Sequence, residues 1–283
     1  MTANQLPMDL LVDDPPERIV SLTPSNTEIL FALGARKRLV GVSHYCDYPP
    51  EAQALPKVAR FIDTDEVAIL ALQPDLVLTS SHLQKAIVER LIERDLTVLA
   101  LNPTDLTDVF RDMLLLGQLV NVREQAQRLV TELHARVVAV VAAGLALPYH
   151  PRVYLEEWGK PLIPAGWWLA DFITLAGGAA ALPMVESRPH SREQIIEPEA
   201  MATADPEVIL VSWPGIRNDV PRQRACNRPE WQQVSAVRHG RVFLVDDRLL
   251  HRPGPRLVDG LEAIARIVAE VAYALATEGD HVR

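Results

Sequence analysis

The chain has 283 residues, a formal net charge of −9, 48% hydrophobic residues and 23% charged residues. This composition is ordinary for a globular protein, and the length allows one large domain or two smaller ones. The acidic balance, with no stripe of lysine and arginine, argues against nucleic acid as the main partner. The two cysteines, Cys46 and Cys226, lie far apart without a Cys-x-x-Cys spacing. We therefore expect two free thiols.

The first half of the sequence alternates strand-like apolar runs with helical patterns. Thr23-Pro24 follows the first run, so we predict that Ser25 caps a helix, that Glu28 completes a capping box and that Gly34 ends the helix. Such an alternation predicts a parallel sheet, which binds ligands beyond the carboxyl ends of its strands. The four predicted strands of this half are 18–22, 39–43, 75–79 and 97–101.

A long amphipathic helix is predicted from Arg123 to about Ala143. About 21 residues at 1.5 Å each give a rod of about 31 Å. The pattern suits either an ordinary core helix or a connector between two lobes, and its place between two β/α series favours the connector. The proline-flanked stretch 147–151 ends it. Six apolar residues lie on one face at helical spacing: Ala126, Leu129, Val130, Leu133, Val137 and Val141.

A second series of strands and helices follows the long helix. Strands are predicted at 152–155, 208–212 and 241–245, and a terminal helix at 256–276. Residues 73–80 and 205–212 share one pattern, in which proline precedes an acid, four strand residues and a serine. This repetition is consistent with two lobes of similar topology. We predict an α/β protein with two β/α lobes joined by a single long helix, divided as 1–119, 120–147 and 148–283.

The five tryptophans all lie in the second half of the chain. Tryptophan is usually largely buried, so core filling is one interpretation of each. Binding residues, however, concentrate in loops beyond strand ends. Trp158 and Trp213 each follow a predicted strand, and Trp167-Trp168 lies in a predicted loop, so we expect Trp158, Trp213 and Trp167 to line a ligand cleft. Trp231, among polar residues, is predicted to be structural.

Polar residues at predicted strand ends are candidates for ligand contacts or for metal ligation. His44 and Cys46 form a His-x-Cys pair, and spacing of two places both side chains on one face of a strand. Imidazole and thiolate are both ligands of transition metals and haem iron. Because Cys46 lies in a proline-containing turn, we favour a hydrogen-bonding or lining role for these two residues and for His251, and predict no metal site. The adjacent acids Glu156-Glu157 are interpreted as a solvated edge.

Several segments, in a fixed order from about Arg18 to about Ala276, resemble the cobalamin-binding type of the class III substrate-binding proteins of ABC importers. The resemblance implies two β/α lobes, a stiff connecting helix and a ligand cleft between the lobes. It also implies capture of a corrinoid as ligand rather than use of a cofactor. The segments that carry the resemblance are 21–28, 41–50, 73–77, 153–159, 165–168, 177–178, 191–194 and 252–256.

The same resemblance suggests which side chains contact the ligand. Tyr45 matches a position where the family stacks an aromatic ring on the corrin, and Phe61 matches one where tryptophan is usual. Aromatic faces suit a large planar ligand because stacking and apolar burial add together. Hydroxyl, amide and imidazole groups suit the peripheral amides of a corrinoid. The full predicted ligand-binding set is Ser25, Asn26, Tyr45, Phe61, His82, Trp158, Trp167, Trp213 and His251.

An ABC permease is the partner that the resemblance implies. Members of the family present one exposed glutamate on each lobe, which pairs with arginines of the permease. In the second lobe Glu193 matches that position. In the first lobe the matching position holds Val67, and the neighbouring Glu66 is the candidate substitute.

The resemblance therefore implies non-catalytic binding of a corrinoid. The sequence has none of four common enzyme motifs, Gly-x-x-x-x-Gly-Lys, Gly-x-Gly-x-x-Gly, His-Glu-x-x-His and Gly-x-Ser-x-Gly. Alternatives are haem or ferric-siderophore capture on the same scaffold, and an intracellular corrinoid carrier or sensor without a permease. The family is periplasmic or on the cell surface. Residues 1–18 contain four acids and no apolar run typical of a signal peptide, so the localisation expected from this chain is open between export and the cytoplasm.

Overall fold

The computed structural model of the chain describes residues 14–60, 62–80, 82–182, 195–216 and 218–280. The side chains of His82 and Trp167 are outside that description. The chain divides into two compact units, Met1–Glu132 and Leu133–Arg283. Among the described residues, no helix combines the length and apolar character that crossing a bilayer requires.

The first unit contains a five-stranded sheet in which every pairing is parallel, with the strand order β3-β2-β1-β4-β5. The four strands predicted in this half are confirmed with small shifts of their ends. The fifth, β3, was not predicted because three residues carry too little periodicity to stand out. The strands are β1 (Ile19–Ser21), β2 (Leu39–Ser43), β3 (Lys57–Ala59), β4 (Leu76–Ser80) and β5 (Val98–Leu101).

The helices of the first unit include one whose start differs from the prediction. Helix α1 begins at Pro24 with Thr23 as its N-cap residue, and Ser25 and Glu28 lie buried inside the helix. The predicted capping box is therefore wrong, because proline is preorganised for the first helical position and moves the start one residue earlier. The helices are α1 (Pro24–Ala32), α2 (Glu66–Ala71), α3 (Lys85–Ile92), α4 (Leu106–Leu119) and α5 (Arg123–Leu145), which begins in this unit.

The second unit is built on a mixed five-stranded sheet with the order β10-β9-β6-β7, and β8 also pairs with β6. Only the β6–β7 pairing is antiparallel among the described strand pairs. The three predicted strands are confirmed, but β6 extends four residues beyond its predicted end, so Trp158 lies inside a strand rather than after one. The strands are β6 (Arg152–Gly159), β7 (Leu162–Pro164), β8 (Ala179–Ala180), β9 (Val208–Val211) and β10 (Val242–Leu244).

Helices pack against the sheet of the second unit. The predicted terminal helix is confirmed as α11. Trp167 is the first residue of α6, so the predicted loop at Trp167-Trp168 is a helix start. The helices are α6 (Trp167–Leu175), α7 (Ala200–Ala204), α8 (Val220–Cys226), α9 (Ser235–Arg238), α10 (Asp247–Leu250) and α11 (Leu257–Asp280).

The predicted long helix is confirmed as α5 and is packed tightly at both of its ends. Near its start, a Cβ added to Gly117 of α4 would overlap the Cβ of Ala126. Near its end, a Cβ added to Gly144 would lie 2.8 Å from the backbone nitrogen of Gly177. Arg136 also forms ion pairs with two acids of α11. The boundary between the two units falls inside α5, so the predicted three-part division and the predicted cleft stay predictions.

The repeated Pro-acid pattern corresponds to the same contact in each unit. In the first unit, the Asp75 carboxylate accepts the backbone N–H of Arg18 at 3.0 Å, and the guanidinium Nε of Arg18 donates to the Gln73 carbonyl at 3.1 Å. Gln73 has a φ of 46°, in the left-handed region that most side chains avoid. This contact connects the start of β1 to the turn that precedes β4.

In the second unit the corresponding residues repeat these bonds between β6 and β9. The Glu207 carboxylate accepts the backbone N–H of Arg152 at 2.9 Å, and the Arg152 guanidinium donates to the Asp205 carbonyl at 3.0 Å. Asp205 also adopts a left-handed conformation, with a φ of 39°. Glu207 accepts in addition the hydroxyl of Tyr149 at 2.8 Å. The two acids differ in environment, because Glu207 is buried and Asp75 is exposed.

We predict that Glu207→Gln lowers the free energy of unfolding more than Asp75→Asn does. Hydrogen bonds to a charged group contribute about 1.5–3 kcal/mol each, and exposure to water reduces that value. We expect a loss of about 1–3 kcal/mol for Glu207→Gln. Urea denaturation followed by circular dichroism measures both variants. Glu270→Gln, which removes an exposed carboxylate from α11, is the control and should leave the midpoint unchanged. Equal losses for the two variants would contradict the burial argument.

Candidate ligand-binding site

Polar side chains lie at the carboxyl ends of β1 and β4, the two strands between which the chain order of the first sheet reverses. The Asn26 amide donates to the Thr79 carbonyl at 3.0 Å, and the Gln84 side-chain oxygen accepts the Ser80 N–H at 2.9 Å. Ser25 and Asn26 are both buried. The first contact holds α1 against β4, and the second holds the residues that follow β4, at the sheet edge where ligands of parallel sheets bind. The ligand roles of Ser25 and Asn26 stay predictions.

The two side chains of the predicted His-x-Cys pair follow β2 and lie in different environments. His44 and Tyr45 are exposed, Tyr45 by 47%, whereas Cys46 is buried with its sulfur 3.2 Å from the Thr27 hydroxyl. The strand ends at Ser43, so the alternation of a strand does not apply and the shared face is wrong. Cys46 and Cys226 are not joined by a disulfide bond, as predicted. Among the described residues, no group of three His, Cys, Asp or Glu side chains is arranged to hold a metal ion.

Four predicted site residues have no described side chain. Phe61 and Glu193 lie outside the described residues, as does the matching segment 191–194. His82 begins a short 3₁₀ helix and Trp167 begins α6, and the structure describes the backbone alone at these two residues. The roles of these four residues stay predictions.

The second unit contains a pocket of about 460 Å³ near the end of β6. Trp158 forms part of its wall, and the indole nitrogen of Trp158 donates to the Lys160 carbonyl at 3.0 Å. The described part of the lining is apolar except for one carboxylate, which is the combination expected of a site for an organic ligand. The lining residues are Glu157, Trp158, Pro161, Ile163, Ile195 and Pro214.

Trp213 supports Trp158 from the protein interior. The two indole rings have centroids 5.6 Å apart and planes tilted by 41°, a spacing at which aromatic pairs attract. Trp213 is only 2% exposed. The structure therefore places Trp158 at the pocket and Trp213 behind it. Direct contact of Trp213 with a ligand stays a prediction.

A buried ion pair lies next to these tryptophans. The Glu156 side chain is fully buried and accepts two hydrogen bonds at 2.9 Å, one from the Arg228 guanidinium and one from the Trp213 indole. The pKa of Glu156 is raised above its ordinary value because burial disfavours the charged carboxylate, and the hydrogen bonds from Arg228 and Trp213 oppose this shift only in part. The predicted solvated edge at Glu156-Glu157 is wrong for Glu156. This pair was not predicted from the sequence, because 72 residues separate the two partners.

Trp231 and His251 both have structural contacts. Trp231 is buried, with the Arg228 guanidinium 4.0 Å from its ring centroid and its indole nitrogen donating to the Pro198 carbonyl at 3.1 Å. This environment agrees with the structural role predicted for Trp231. His251 is partly buried, and its Nε2 lies 2.8 Å from the Ser212 carbonyl oxygen. The imidazole thereby fixes the backbone after β9, and a ligand role for His251 stays a prediction.

The predicted docking residue of the first unit has partners inside its own unit. The Glu66 carboxylate accepts from Arg90 at 2.7 Å and from Arg94 at 3.3 Å, and the hydrogen bond from Arg90 lowers the pKa of Glu66. The next residue, Val67, is 78% exposed. Glu66 therefore carries a charge that two arginines already balance, and its docking role stays a prediction.

Proteins similar to this chain cover nearly its full length. The ABC transporter substrate-binding lipoprotein YvrC of Bacillus subtilis (strain 168) is 26% identical over 273 residues, which span 92% of this chain and 82% of that protein. The vitamin B12-binding protein of Vibrio cholerae is 29% identical over 254 residues and 88% of each chain. The protein of Vibrio cholerae is named for the ligand that it binds, vitamin B12.

The names of solved structures with a similar fold refer to two different ligands. The periplasmic vitamin B12 binding protein of Vibrio cholerae superposes with a TM-score of 0.74 at 25% identity and covers 92% of this chain and 98% of its own. A periplasmic heme binding protein from Pseudomonas aeruginosa gives 0.77 at 26% identity, over 90% of this chain and 93% of its own. The fold is therefore shared between proteins named for a corrinoid and for haem.

The family model for periplasmic binding proteins matches residues 19–249, from the first strand to helix α10. This range includes both sheets and the pocket beside Trp158. Family membership agrees with the two sheets, the long helix and the position of the pocket near a strand end. The chain belongs to the periplasmic binding protein family.

Proposed function

We propose that this chain binds a corrinoid without transforming it and delivers it to an ABC importer. The observation that carries the proposal is the apolar pocket with Trp158 in its wall and Trp213 behind it. A large planar macrocycle gains from an aromatic face because stacking and apolar burial act together. The relatives named for vitamin B12 and for ABC transport support the same ligand and the same process.

The carboxylate in the pocket lining favours a corrinoid over haem. Among the lining residues that the structure describes, Glu157 is the charged one and the others are apolar. A carboxylate accepts hydrogen bonds from the peripheral amide N–H groups of a corrinoid. The same carboxylate repels the two carboxylates that a haem carries, because like charges in an apolar surrounding interact strongly. Haem remains the second candidate because a heme binding protein shares the fold at similar identity.

We predict that Trp158→Ala weakens the binding of cyanocobalamin by about 1–3 kcal/mol, or about 5- to 150-fold, through lost stacking and burial. Isothermal titration measures the dissociation constant, and quenching of tryptophan fluorescence reports the complex independently. Tyr273→Ala is the matched control because Tyr273 is an exposed aromatic residue of α11. Equal affinities of the Trp158→Ala protein and the unchanged protein would remove the pocket from the proposal.

We predict that Glu157→Gln changes the affinities for the two macrocycles in opposite directions. Removing the charge weakens a hydrogen bond to an amide and also removes repulsion of a carboxylate. The ratio of cyanocobalamin affinity to haem affinity should therefore fall by about tenfold, equivalent to about 1.4 kcal/mol. Parallel titrations with both ligands measure the ratio, and Glu270→Gln is the control. An unchanged ratio would show that Glu157 does not discriminate between them.

The alternative ligands and roles are separated by direct observations. Tight binding of haem with no binding of cyanocobalamin supports the haem function, and a complex that forms only with added iron supports siderophore capture. We propose a periplasmic or cell-surface location for the protein. Export of the native gene product would support this location and the receptor role. Cytoplasmic localisation without a cognate permease supports the carrier or sensor.

We predict that Glu193→Lys reduces association with the cognate permease and leaves the dissociation constant for ligand nearly unchanged. An exposed charge at the rim of an interface sets encounter and orientation without touching the ligand. Glu66→Lys should reduce association less, because Arg90 and Arg94 already pair with Glu66. Binding to permease in detergent or nanodiscs measures both variants. Full association of the Glu193→Lys protein would contradict the docking role.

A further inference from the structure

We propose that Glu156 and Arg228 are positioning residues that set the shape of the pocket wall, and through it the ligand affinity, without contacting the ligand. The inference rests on the proposed function insofar as the pocket beside Trp158 is the ligand site. The pair lies behind that wall, since Glu156 precedes two lining residues, Glu157 and Trp158. Its contacts reach both sides of Trp158.

Arg228 binds β6 at two points on either side of Trp158. Its guanidinium donates to the Glu156 carboxylate and, at 3.2 Å, to the Gly159 carbonyl. Arginine provides several donors in one rigid plane, so both bonds fix the same side chain. The bonds from Arg228 to residues 156 and 159 restrict the backbone that orients the Trp158 ring. Lysine at this position retains the charge and loses the planar fork of donors.

The pair also holds the ring that supports Trp158. Trp213 donates its indole N–H to Glu156 at 2.9 Å and packs on Trp158. Gly159 leaves the space for this arrangement, because a Cβ there would overlap Cζ2 of Trp213 and lie 2.8 Å from Nη2 of Arg228. A close-packed interior transmits a shift of one side chain to its neighbours. A change at Arg228 is therefore expected to move both indoles.

The energetics of a buried pair separate positioning from plain stabilisation. Taking two charges out of water offsets much of their attraction, so replacing both partners by neutral groups of similar size is often neutral for stability. The attested use of such pairs is to select one arrangement among several. If Glu156 and Arg228 act in this way, neutral replacements keep the fold and disturb the pocket. A purely stabilising pair would change stability and leave affinity unaltered.

The experiment uses two variants of the full chain, Arg228→Lys and the double replacement Glu156→Gln with Arg228→Met. The dissociation constant for cyanocobalamin is measured by isothermal titration at a temperature where the thermal melt shows each protein folded. We expect binding at least about tenfold weaker in both variants, with the melting temperature of the double variant close to that of the unchanged protein. Arg238→Lys, at an exposed arginine, is the control and should bind normally.

A second readout needs no ligand. With 5-fluorotryptophan incorporated, the ¹⁹F resonances of Trp158 and Trp213 are assigned by Trp158→Phe and Trp213→Phe, and both should shift in either variant. Unchanged affinity together with unchanged resonances in a folded variant overturns the positioning role. If the unchanged protein binds neither cyanocobalamin nor haem, the proposed function fails by itself, and the two resonances alone decide whether the pair positions the indoles.

Discussion

Each sheet contains one contact between an acidic side chain and an arginine at the start of a central strand, Arg18 directly before β1 and Arg152 as the first residue of β6. Asp75 and Glu207 accept the backbone N–H groups of Arg18 and Arg152, and the same arginines donate to the carbonyls before the prolines. The contact fixes where two parallel strands begin relative to each other. Because side chains alternate along a strand, a slip of one residue would exchange the buried and exposed faces.

A fixed register at the start of the strands determines which residues lie at their carboxyl ends. In the first unit this places Asn26 beside β4. In the second unit it aligns Glu156 with Val211, so that Trp213, two residues farther along the chain, reaches the Glu156 carboxylate. The aromatic wall of the pocket thus follows from contacts made at the opposite ends of β6 and β9.

The chemistry of the pocket and the chemistry behind it serve different purposes. The described lining combines an indole face and apolar side chains with the carboxylate of Glu157. In the proposed function, the indole and the apolar side chains contribute affinity for a large ligand, and the carboxylate contributes the preference among ligands. Behind the lining, Glu156, Arg228 and Trp213 satisfy one another's hydrogen bonds out of water. A buried polar network of this kind keeps one geometry because each alternative leaves a charge or a donor without a partner.

The alternation of strands and helices, the long helix and the repeated Pro-acid pattern could all be predicted from the sequence, because each depends on residues close together along the chain. Two element boundaries were predicted wrongly. Pro24 places the start of α1 one residue earlier than expected, and β6 continues beyond its apolar residues to include Trp158. The burial of Glu156 against Arg228 and Trp213 became evident only from the folded chain. Sequence periodicity treats an acid as a surface residue, whereas its burial depends on a cationic partner brought close by the fold.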